Sequence, residues 1–323
     1  MKNIHLQSPA KLNLSLKVLG KRPDGYHNLS TLFEKINLYD DIYLRRSRTG
    51  KIRIFCTHPQ VPKGAKNLAY QAARMLQDDF ALANGVDIKI VKRIPVAAGL
   101  AGGSSNAAMV LLGLNAIWRL DLNFAQLLAY AKRLGSDVPL FLYKDIFCHG
   151  TERGDRIKGL KINRKYWHIV VTPRLKVYSA KVFKALIDIC SAKGNKVVDI
   201  RSFPRRQKSL YRSSLATFDM EKTDKMGLTK TNDNVNILTC ALRKNDLAKA
   251  SQLLLNDLET AIVRVHPQLL TIKNNIKTIS GLDICFSGSG PSLFGLVSTQ
   301  SKAKKIAGLL AKHYARVFVV RTG

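Results

Sequence analysis

The stretch that most constrains the fold is a glycine-rich turn between two apolar runs. It reads RIPVAAGLAGGSSNAAMVLLGL, from Arg93 to Leu114, and contains four glycines and two serines. The run before it, VDIKIVKRI, has the pattern of a strand, and NAAMVLLGLNAIW after it has that of a helix. At the start of such a helix, free backbone N–H groups and the helix dipole favour negative charge. The stretch therefore predicts a mixed α and β fold with an anion-binding site at the turn.

The residues of the turn suit a phosphate. Gly99, Gly102 and Gly103 allow the backbone to approach a phosphate closely. Ser104 and Ser105 add hydroxyls that could bond a phosphate oxygen or a magnesium ion. The spacing fits neither G-x-x-x-x-G-K-[ST] nor G-x-G-x-x-G. A turn that serves only tight packing is therefore the alternative.

Length and composition limit the class of protein. The chain has 323 residues, 46% of them hydrophobic, which is enough for a large core. It has no apolar run long enough to span a membrane and no signal-peptide pattern at its start, so we expect a cytoplasmic protein. Its five cysteines show no metal-type spacing, and we interpret them as core thiols; they are Cys56, Cys148, Cys190, Cys240 and Cys285.

The charge is strongly positive, with 53 basic against 22 acidic residues and a net charge of +31. Such an excess attracts phosphates, including those of nucleic acids. The basic residues are scattered along the chain, without an RGG repeat or an aromatic-rich basic block. We therefore expect nucleic acid to bind only non-specifically, and anionic substrates account for the charge equally well.

Hydrophobic periodicity predicts further elements. Asn67 is expected to cap a helix, and Gly135 to end the helix FAQLLAYAKRLG. We interpret INLYDDIYLRR as two short strands around Asp40 and Asp41, and CHGTERGDR as a domain hinge. The polar, basic segment Arg201–Asn232 is expected to be a long surface loop.

Three other segments carry candidate functional residues. Lys11 and Asn13 lie on the polar face of the strand SPAKLNLSL, where Lys11 could also be a solvated strand lysine. Asp137 follows a helix end in RLGSDVPLF, where it could instead cap the next segment. FSGSGPSLFGL is another glycine turn after an apolar strand, and by itself it is weak.

Taken in order, these segments resemble the GHMP kinase superfamily. PAKLNLSLKVLGKRPDGYHNLSTLF resembles the opening of the branch that acts on 4-diphosphocytidyl-2-C-methyl-D-erythritol in the non-mevalonate route to isoprenoid precursors. IPVAAGLAGGSSNAA resembles the second motif of the superfamily, LGSDVPLF its catalytic-aspartate region and SGSGPSLFG its third motif, and NDLE also fits. The resemblance runs from about Ser8 to Thr322.

The resemblance implies a two-domain α+β GHMP-kinase fold. Its N-terminal, ATP-binding and catalytic domain would be ribosomal-protein-S5-like and comprise residues 1–155. Its C-terminal domain would be ferredoxin-like and comprise residues 156–323, with the basic insertion at about 201–232. ATP and substrate would meet in the cleft between the two domains, in a monomer or a homodimer.

The same resemblance implies ATP-dependent phosphorylation of the 2-hydroxyl of the substrate, with Mg²⁺. Asp137 would accept the hydroxyl proton, and Lys11 would keep Asp137 ionised and help hold the transferring phosphoryl group. Such positioning and charge stabilisation are what phosphoryl transfer requires. Tyr26 and His27 would bind the cytidine end, and Asn13 the methylerythritol hydroxyls.

The remaining implied site residues fall into three sets. The ATP site would comprise Asn67, Leu68, Pro95, Val96, Ala97, Ala98, Gly99, Leu100, Ala101, Gly102, Gly103, Ser104, Ser105 and Asn106. The substrate site would add Tyr178, Ser179, Gly288, Ser289 and Gly290, and Ser104 or Ser105 would bind the metal. Tyr178 departs from the family, which has serine there, and is bulkier.

Two alternatives stay open at this point. The first is another small-alcohol GHMP kinase, acting on mevalonate, homoserine or galactose, in which the Tyr26–His27 turn would have no purpose. The second is a non-catalytic, nucleic-acid-binding relative that uses the basic surface. Lys11, Asp137 and the intact glycine turn argue against it.

Overall fold

The computed structural model describes residues 3–191 and 233–323, so the predicted loop at 201–232 lies outside the described residues. The strands are β1 (Asn3–Lys21), β2 (His27–Ser47), β3 (Ile52–Cys56), β4 (Gly85–Val91), β5 (Phe147–Glu152), β6 (Arg156–Leu160), β7 (Trp167–Val171), β8 (Leu255–Asn256), β9 (Cys285–Phe286), β10 (Leu293–Val297) and β11 (Val317–Arg321). The helices are α1 (Leu68–Asp79), α2 (Gly102–Trp118), α3 (Phe124–Leu134), α4 (Ser179–Ser191), α5 (Asp233–Arg243), α6 (Leu247–Gln252), α7 (Glu259–Val265), α8 (Gln268–Ser280) and α9 (Gln300–Ala311).

The described strands form two sheets. In the first, the order is β3-β4-β2-β1-β8, with β5 paired to β2 and β6 paired to β5. In the second, the order is β11-β7-β10-β9. Strand β8, from the second half of the chain, pairs in parallel with β1, so the first sheet contains both halves.

The alternating apolar side chains of the strands pack into three hydrophobic clusters. One face of β2 and β4 packs against α1, α2 and α3 through residues such as Ile42, Leu44 and Ile88. A second cluster joins Leu12 of β1 to Val170 of β7 and brings the two sheets together. A third lies between the second sheet and its helices. The clusters leave the polar turns between strands and helices to form the site.

Several predicted elements are confirmed. Asn67 caps α1, and its side-chain oxygen accepts a hydrogen bond from Ala69 N at 2.9 Å. Gly135 follows the last residue of α3, and its N–H donates to Ala131 O. Helix α2 follows the glycine turn as predicted, although it begins at Gly102, before the two serines.

The interpretation of INLYDDIYLRR as two strands is wrong, because β2 runs through it without a break. Asp40 and Asp41, which look like turn residues in the sequence, are both buried in the strand. The carboxylate of Asp40 is hydrogen-bonded there, so the charge does not interrupt the ladder. Opposite this part of β2, the pairing with β1 shifts register between Pro9 and Ala10.

The predicted hinge is a hairpin. Strands β5 and β6 pair antiparallel from Phe147 with Leu160 to Thr151 with Arg156. Gly154, in the turn between them, has a φ of 87°. Strand β6 therefore belongs to the first sheet, although it lies beyond residue 155, the predicted end of the N-terminal domain. The position of the domain boundary stays a prediction.

The cysteines differ in burial. Cys148 and Cys285 are buried and Cys56 is half-buried, as expected for core thiols. Cys240 is exposed, so the interpretation is wrong for this residue: it lies on the outer side of α5. The side chain of Cys190 lies outside the described part. Within residues 3–191 and 233–323, we find no helix with the length and apolar character that crossing a membrane requires.

Candidate active site

The glycine loop, residues 95–101, connects β4 to α2 in a backbone conformation unusual for L residues. Ala97 and Ala101 have φ values of 54° and 53°, and Gly99 has one of 80°. Among the described residues, no side chain caps the start of α2. The first N–H groups of this helix are therefore free to bind an anion.

The glycine loop lies against the third glycine turn, backbone to backbone. Ser292 N donates to Ala98 O at 3.2 Å, and Ser287 Oγ donates to Gly99 O at 3.1 Å. A Cβ added to Gly290 would lie 2.1 Å from Gly99 N. The fold thus joins two motifs that lie far apart in the sequence.

Lys11 and Asp137 meet beside this junction. Lys11 is buried; its Nζ donates to Asn13 Oδ1 at 2.5 Å and lies 3.8 Å from Asp137 Oδ2. Burial lowers the pKa of Lys11, and the carboxylate of Asp137 opposes that shift. A Cβ added to Gly288 would lie 3.2 Å from Lys11 Nζ. Lys11 is therefore not a solvated strand lysine, and its ammonium lies between the catalytic-aspartate region and the third motif.

The two serines at the start of α2 have different surroundings. Ser105 is fully buried, and its Oγ lies 2.7 Å from Ser8 Oγ, which also bonds Asn106 Oδ1. Ser104 is half-buried on the first turn of the helix. Of the two, Ser104 is the one whose hydroxyl is open to a ligand.

Tyr26 and His27 are adjacent but lie in different environments. Tyr26 is 54% exposed, and the Arg153 guanidinium lies 5.0 Å from its ring centroid. His27 is buried and stacks on Phe183 of α4, with centroids 5.3 Å apart. Burial, and after it the charge of Lys21, lower the pKa of His27. The imidazole is therefore neutral at neutral pH and held flat against an aromatic ring.

The last two predicted positions lie at the start of α4. Ser179 Oγ is 2.6 Å from Ser289 Oγ, so the structure brings these two residues together. Tyr178, the departure from the family, is exposed, with Lys181 Nζ 6.0 Å from its ring centroid. Its bulk is therefore directed away from the core. The side chain of Asn67 is engaged in capping α1.

Sequence reasoning missed two supporting residues. Asn256 is buried, and its Nδ2 donates to Phe286 O and Gly288 O at 2.9 and 2.7 Å. Asn256 thereby holds the third glycine turn in place. Its only signal in the sequence is that it is the first residue of the NDLE segment. Phe183 had no signal of its own, because only folding places α4 against His27.

The sequence matches two family models, one in each half of the chain. The family model of the N terminal domain of GHMP kinases matches residues 67–145, which include the glycine loop and Asp137. The model of the GHMP kinase C terminal domain matches residues 240–316, which include the third glycine turn. The glycine loop, Asp137 and the third glycine turn thus lie in segments that match the two domains of GHMP kinases.

Curated relatives are similar over nearly the whole chain. The 4-diphosphocytidyl-2-C-methyl-D-erythritol kinase of Acaryochloris marina is 36% identical over 303 residues, covering 94% of this chain and 89% of that protein. The kinase of the same name from Bacillus subtilis is 35% identical over 316 residues, covering 98% and 95%. The chain therefore belongs to the GHMP kinases and, among them, to the 4-diphosphocytidyl-2-C-methyl-D-erythritol kinases.

Solved structures agree on the fold. A crystal structure of 4-(cytidine 5'-diphospho)-2C-methyl-D-erythritol kinase has a TM-score of 0.72 and 29% identity, covering 99% of this chain and all of that one. The crystal structure of L. major mevalonate kinase in complex with R-mevalonate has a TM-score of 0.70 at 14% identity, covering 99% of this chain and 96% of that one, and is similar in fold alone. The two-domain GHMP-kinase fold predicted from the sequence is confirmed.

Proposed function

We propose that this protein transfers the γ-phosphoryl group of ATP to the 2-hydroxyl of 4-diphosphocytidyl-2-C-methyl-D-erythritol. The observation that carries the proposal is the position of Lys11 Nζ, 3.8 Å from Asp137 Oδ2, beside the two glycine turns. A buried cation, a carboxylate and free helix N–H groups are the groups that phosphoryl transfer needs. The family of the relatives supplies the identity of the alcohol.

In the proposed step, the 2-hydroxyl oxygen attacks the γ-phosphorus while the bond from phosphorus to the β–γ bridging oxygen breaks. Asp137 accepts the hydroxyl proton, and ADP leaves with the bridging oxygen. Lys11 stabilises the charge on the transferring group, since its ammonium is fixed by Asn13 and needs little reorganisation. The glycine loop holds the other phosphates through its backbone N–H groups.

The residues present fit Mg²⁺. Among the described residues, no group of three or more His, Cys, Asp or Glu could hold a metal ion alone. Mg²⁺ is usually held by one or two protein ligands together with substrate phosphates and water, so a protein cage is not required. Ser104 would be the protein ligand rather than Ser105, which is buried against Ser8. When bound, the ion neutralises negative charge on the phosphates.

The proposed cytidine site is the His27 turn. A neutral imidazole stacked on Phe183 offers one donor and one acceptor to a base edge, and Tyr26 adds an exposed ring. Flat aromatic surfaces favour stacking with a base. Ser179 and Ser289 would lie along the rest of the substrate.

We also propose that the protein works in the cytoplasm, as a monomer or homodimer, and binds nucleic acid only through its bulk charge of +31. Binding of that kind falls steeply with salt and shows no sequence preference. Retention of RNA at increasing salt measures it. Salt-resistant, sequence-selective retention would argue for the nucleic-acid-binding alternative.

The function is tested by ADP release from Mg-ATP with four alcohols: the cytidyl compound, mevalonate, homoserine and galactose. Turnover with the cytidyl compound alone is the expected result. Turnover with another alcohol would keep the kinase and discard the assignment of Tyr26 and His27. If the folded protein binds ATP but turns over none of them, the proposed function fails.

A further inference from the structure

A buried carboxylate lies directly beneath the start of the glycine loop. Asp40, in the middle of β2, is fully buried. Its Oδ1 accepts hydrogen bonds from Arg93 N at 2.7 Å and from Ile94 N at 2.8 Å. Its Oδ2 accepts one from Lys92 Nζ at 2.6 Å. One carboxylate thus binds all three residues that lead from β4 into the loop.

Lys92 links Asp40 to the other end of the loop, where α2 begins. Its ammonium is buried and also donates to Ile94 O at 2.6 Å. A Cβ added to Gly102, the first residue of α2, would lie 2.8 Å from Lys92 Nζ. The ammonium therefore packs against the start of the helix.

Lys92 is in an unfavourable place for a cation. The N-terminal end of a helix carries partial positive charge, and burial also disfavours the charged form. Burial lowers the pKa of Lys92, and the charge of Asp40 opposes that shift. The carboxylate of Asp40, 2.6 Å from Lys92 Nζ, compensates the charge of the ammonium there. The position of Lys92 under α2 consequently depends on the carboxylate.

We propose that Asp40 is a positioning residue for the glycine loop: it fixes Arg93 and Ile94, which lead into the loop, directly, and Gly102, which follows it, through Lys92. The proposal rests on the loop being the ATP phosphate site, as argued above. Ala97 and Ala101 hold positive φ angles, and for residues other than glycine such a conformation persists only where the surrounding contacts hold it. With both ends tied to β2, the loop is ordered before the nucleotide binds.

The test variant is Asp40→Asn, which has nearly the same shape. Its amide oxygen can still accept from the two backbone N–H groups, but its NH₂ group would face the Lys92 ammonium, donor against donor. Asp87→Asn is the matched control, because Asp87 is a buried carboxylate on β4 of the same sheet. Its cationic partners are Arg45 and Arg53, away from the loop.

The first measurement is the Kd of a fluorescent ATP analogue, with the KM values for ATP and for the cytidyl alcohol. Asp40→Asn should raise the Kd and the KM for ATP about tenfold or more, since small displacements of a binding loop have effects of this size. It should leave the KM for the alcohol unchanged. Hydrogen exchange of the loop amides should be faster in Asp40→Asn than in Asp87→Asn.

A second variant tests the proposal in case Asp40→Asn does not fold. Asp40→Asn with Lys92→Met removes both charges, so no unpaired charge is left buried. It should fold and still bind ATP weakly, because the connection through Lys92 to the start of α2 is lost although the amide oxygen of Asn can still accept from Arg93 N and Ile94 N. If any folded variant without the Asp40 carboxylate keeps the wild-type Kd for ATP, the proposal is overturned. If the wild-type protein itself does not bind ATP, the proposed function fails instead, and the two failures are distinguishable.

Discussion

A Cβ atom added to Gly290 would lie 2.1 Å from the backbone nitrogen of Gly99. The glycine loop and the third glycine turn are therefore in contact through their main chains, with no room for a side chain between them. Ser287 Oγ, which donates to Gly99 O, closes the same contact from the other side. The shape of the candidate phosphate site thus depends on two loops from opposite halves of the chain.

Gly290→Ala should separate these loops. Overpacking of this kind lowers the free energy of unfolding by about 1–3 kcal/mol. The variant should stay folded but lose most of its kcat, because Lys11 and Asp137 lie beside the junction. Urea unfolding and ADP release measure the two effects. Gly308→Ala, on α9, is the control, since no described heavy atom lies within 4 Å of its added Cβ. Because alanine favours a helix more than glycine does, Gly308→Ala should be more stable than the wild type by about 0.5–1 kcal/mol. Equal activity in Gly290→Ala and Gly308→Ala would contradict the prediction.

Asp137→Asn should strongly reduce turnover while sparing ATP binding. The amide cannot take the proton of the attacking hydroxyl, but the loop N–H groups that hold the phosphates remain. The loss should be about a hundredfold or more, as expected when a general base is removed. Nucleotide affinity by fluorescence titration and kcat by ADP release separate the two effects. Near-normal turnover would remove Asp137 from the role of base.

Lys11 should set an alkaline limit to activity. Burial lowers its pKa from the usual 10.5, so the ammonium loses its proton at a pH below that of an exposed lysine. Activity needs the charged form, so kcat/KM for ATP should be full below the lowered pKa and fall as pH rises through it. Lys11→Arg should move this limb to higher pH, because a guanidinium stays protonated. An unchanged alkaline limb in that variant would assign it to another group.

How far the sequence predicts this site depends on how local each feature is. The glycine loop, the cap Asn67 and the end of α3 at Gly135 were predictable, because a few adjacent residues determine each of them. The proximity of Lys11 and Asp137 came only from resemblance. No periodicity along the chain relates a residue of β1 to one beyond α3.

The features that were predicted wrongly or missed depend on distant contacts. In the sequence, Asp40 is typical of a turn. In the fold, the N–H groups of Arg93 and Ile94 donate to its carboxylate, and they come within reach only because β4 pairs with β2. The hairpin of β5 and β6 reads as a hinge because its residues are polar, yet β5 pairs with β2. Pairing between distant strands adds stability that local composition does not show.

His27 should determine affinity for the alcohol rather than for ATP. His27→Ala removes a ring that stacks on Phe183, and stacking on a base is worth about 1–3 kcal/mol. The KM for the cytidyl alcohol should therefore rise about tenfold, with the KM for ATP nearly unchanged. Because burial lowers the pKa of His27 below 6.5, the KM for the alcohol should be constant at neutral and alkaline pH and rise as the pH falls through that lowered pKa. His5→Ala is the matched control, since His5 also stacks on an aromatic ring, that of Tyr43, but far from α4 in the sheet. Equal increases in both KM values for His27→Ala, or the same increase for His5→Ala, would argue against a cytidine contact.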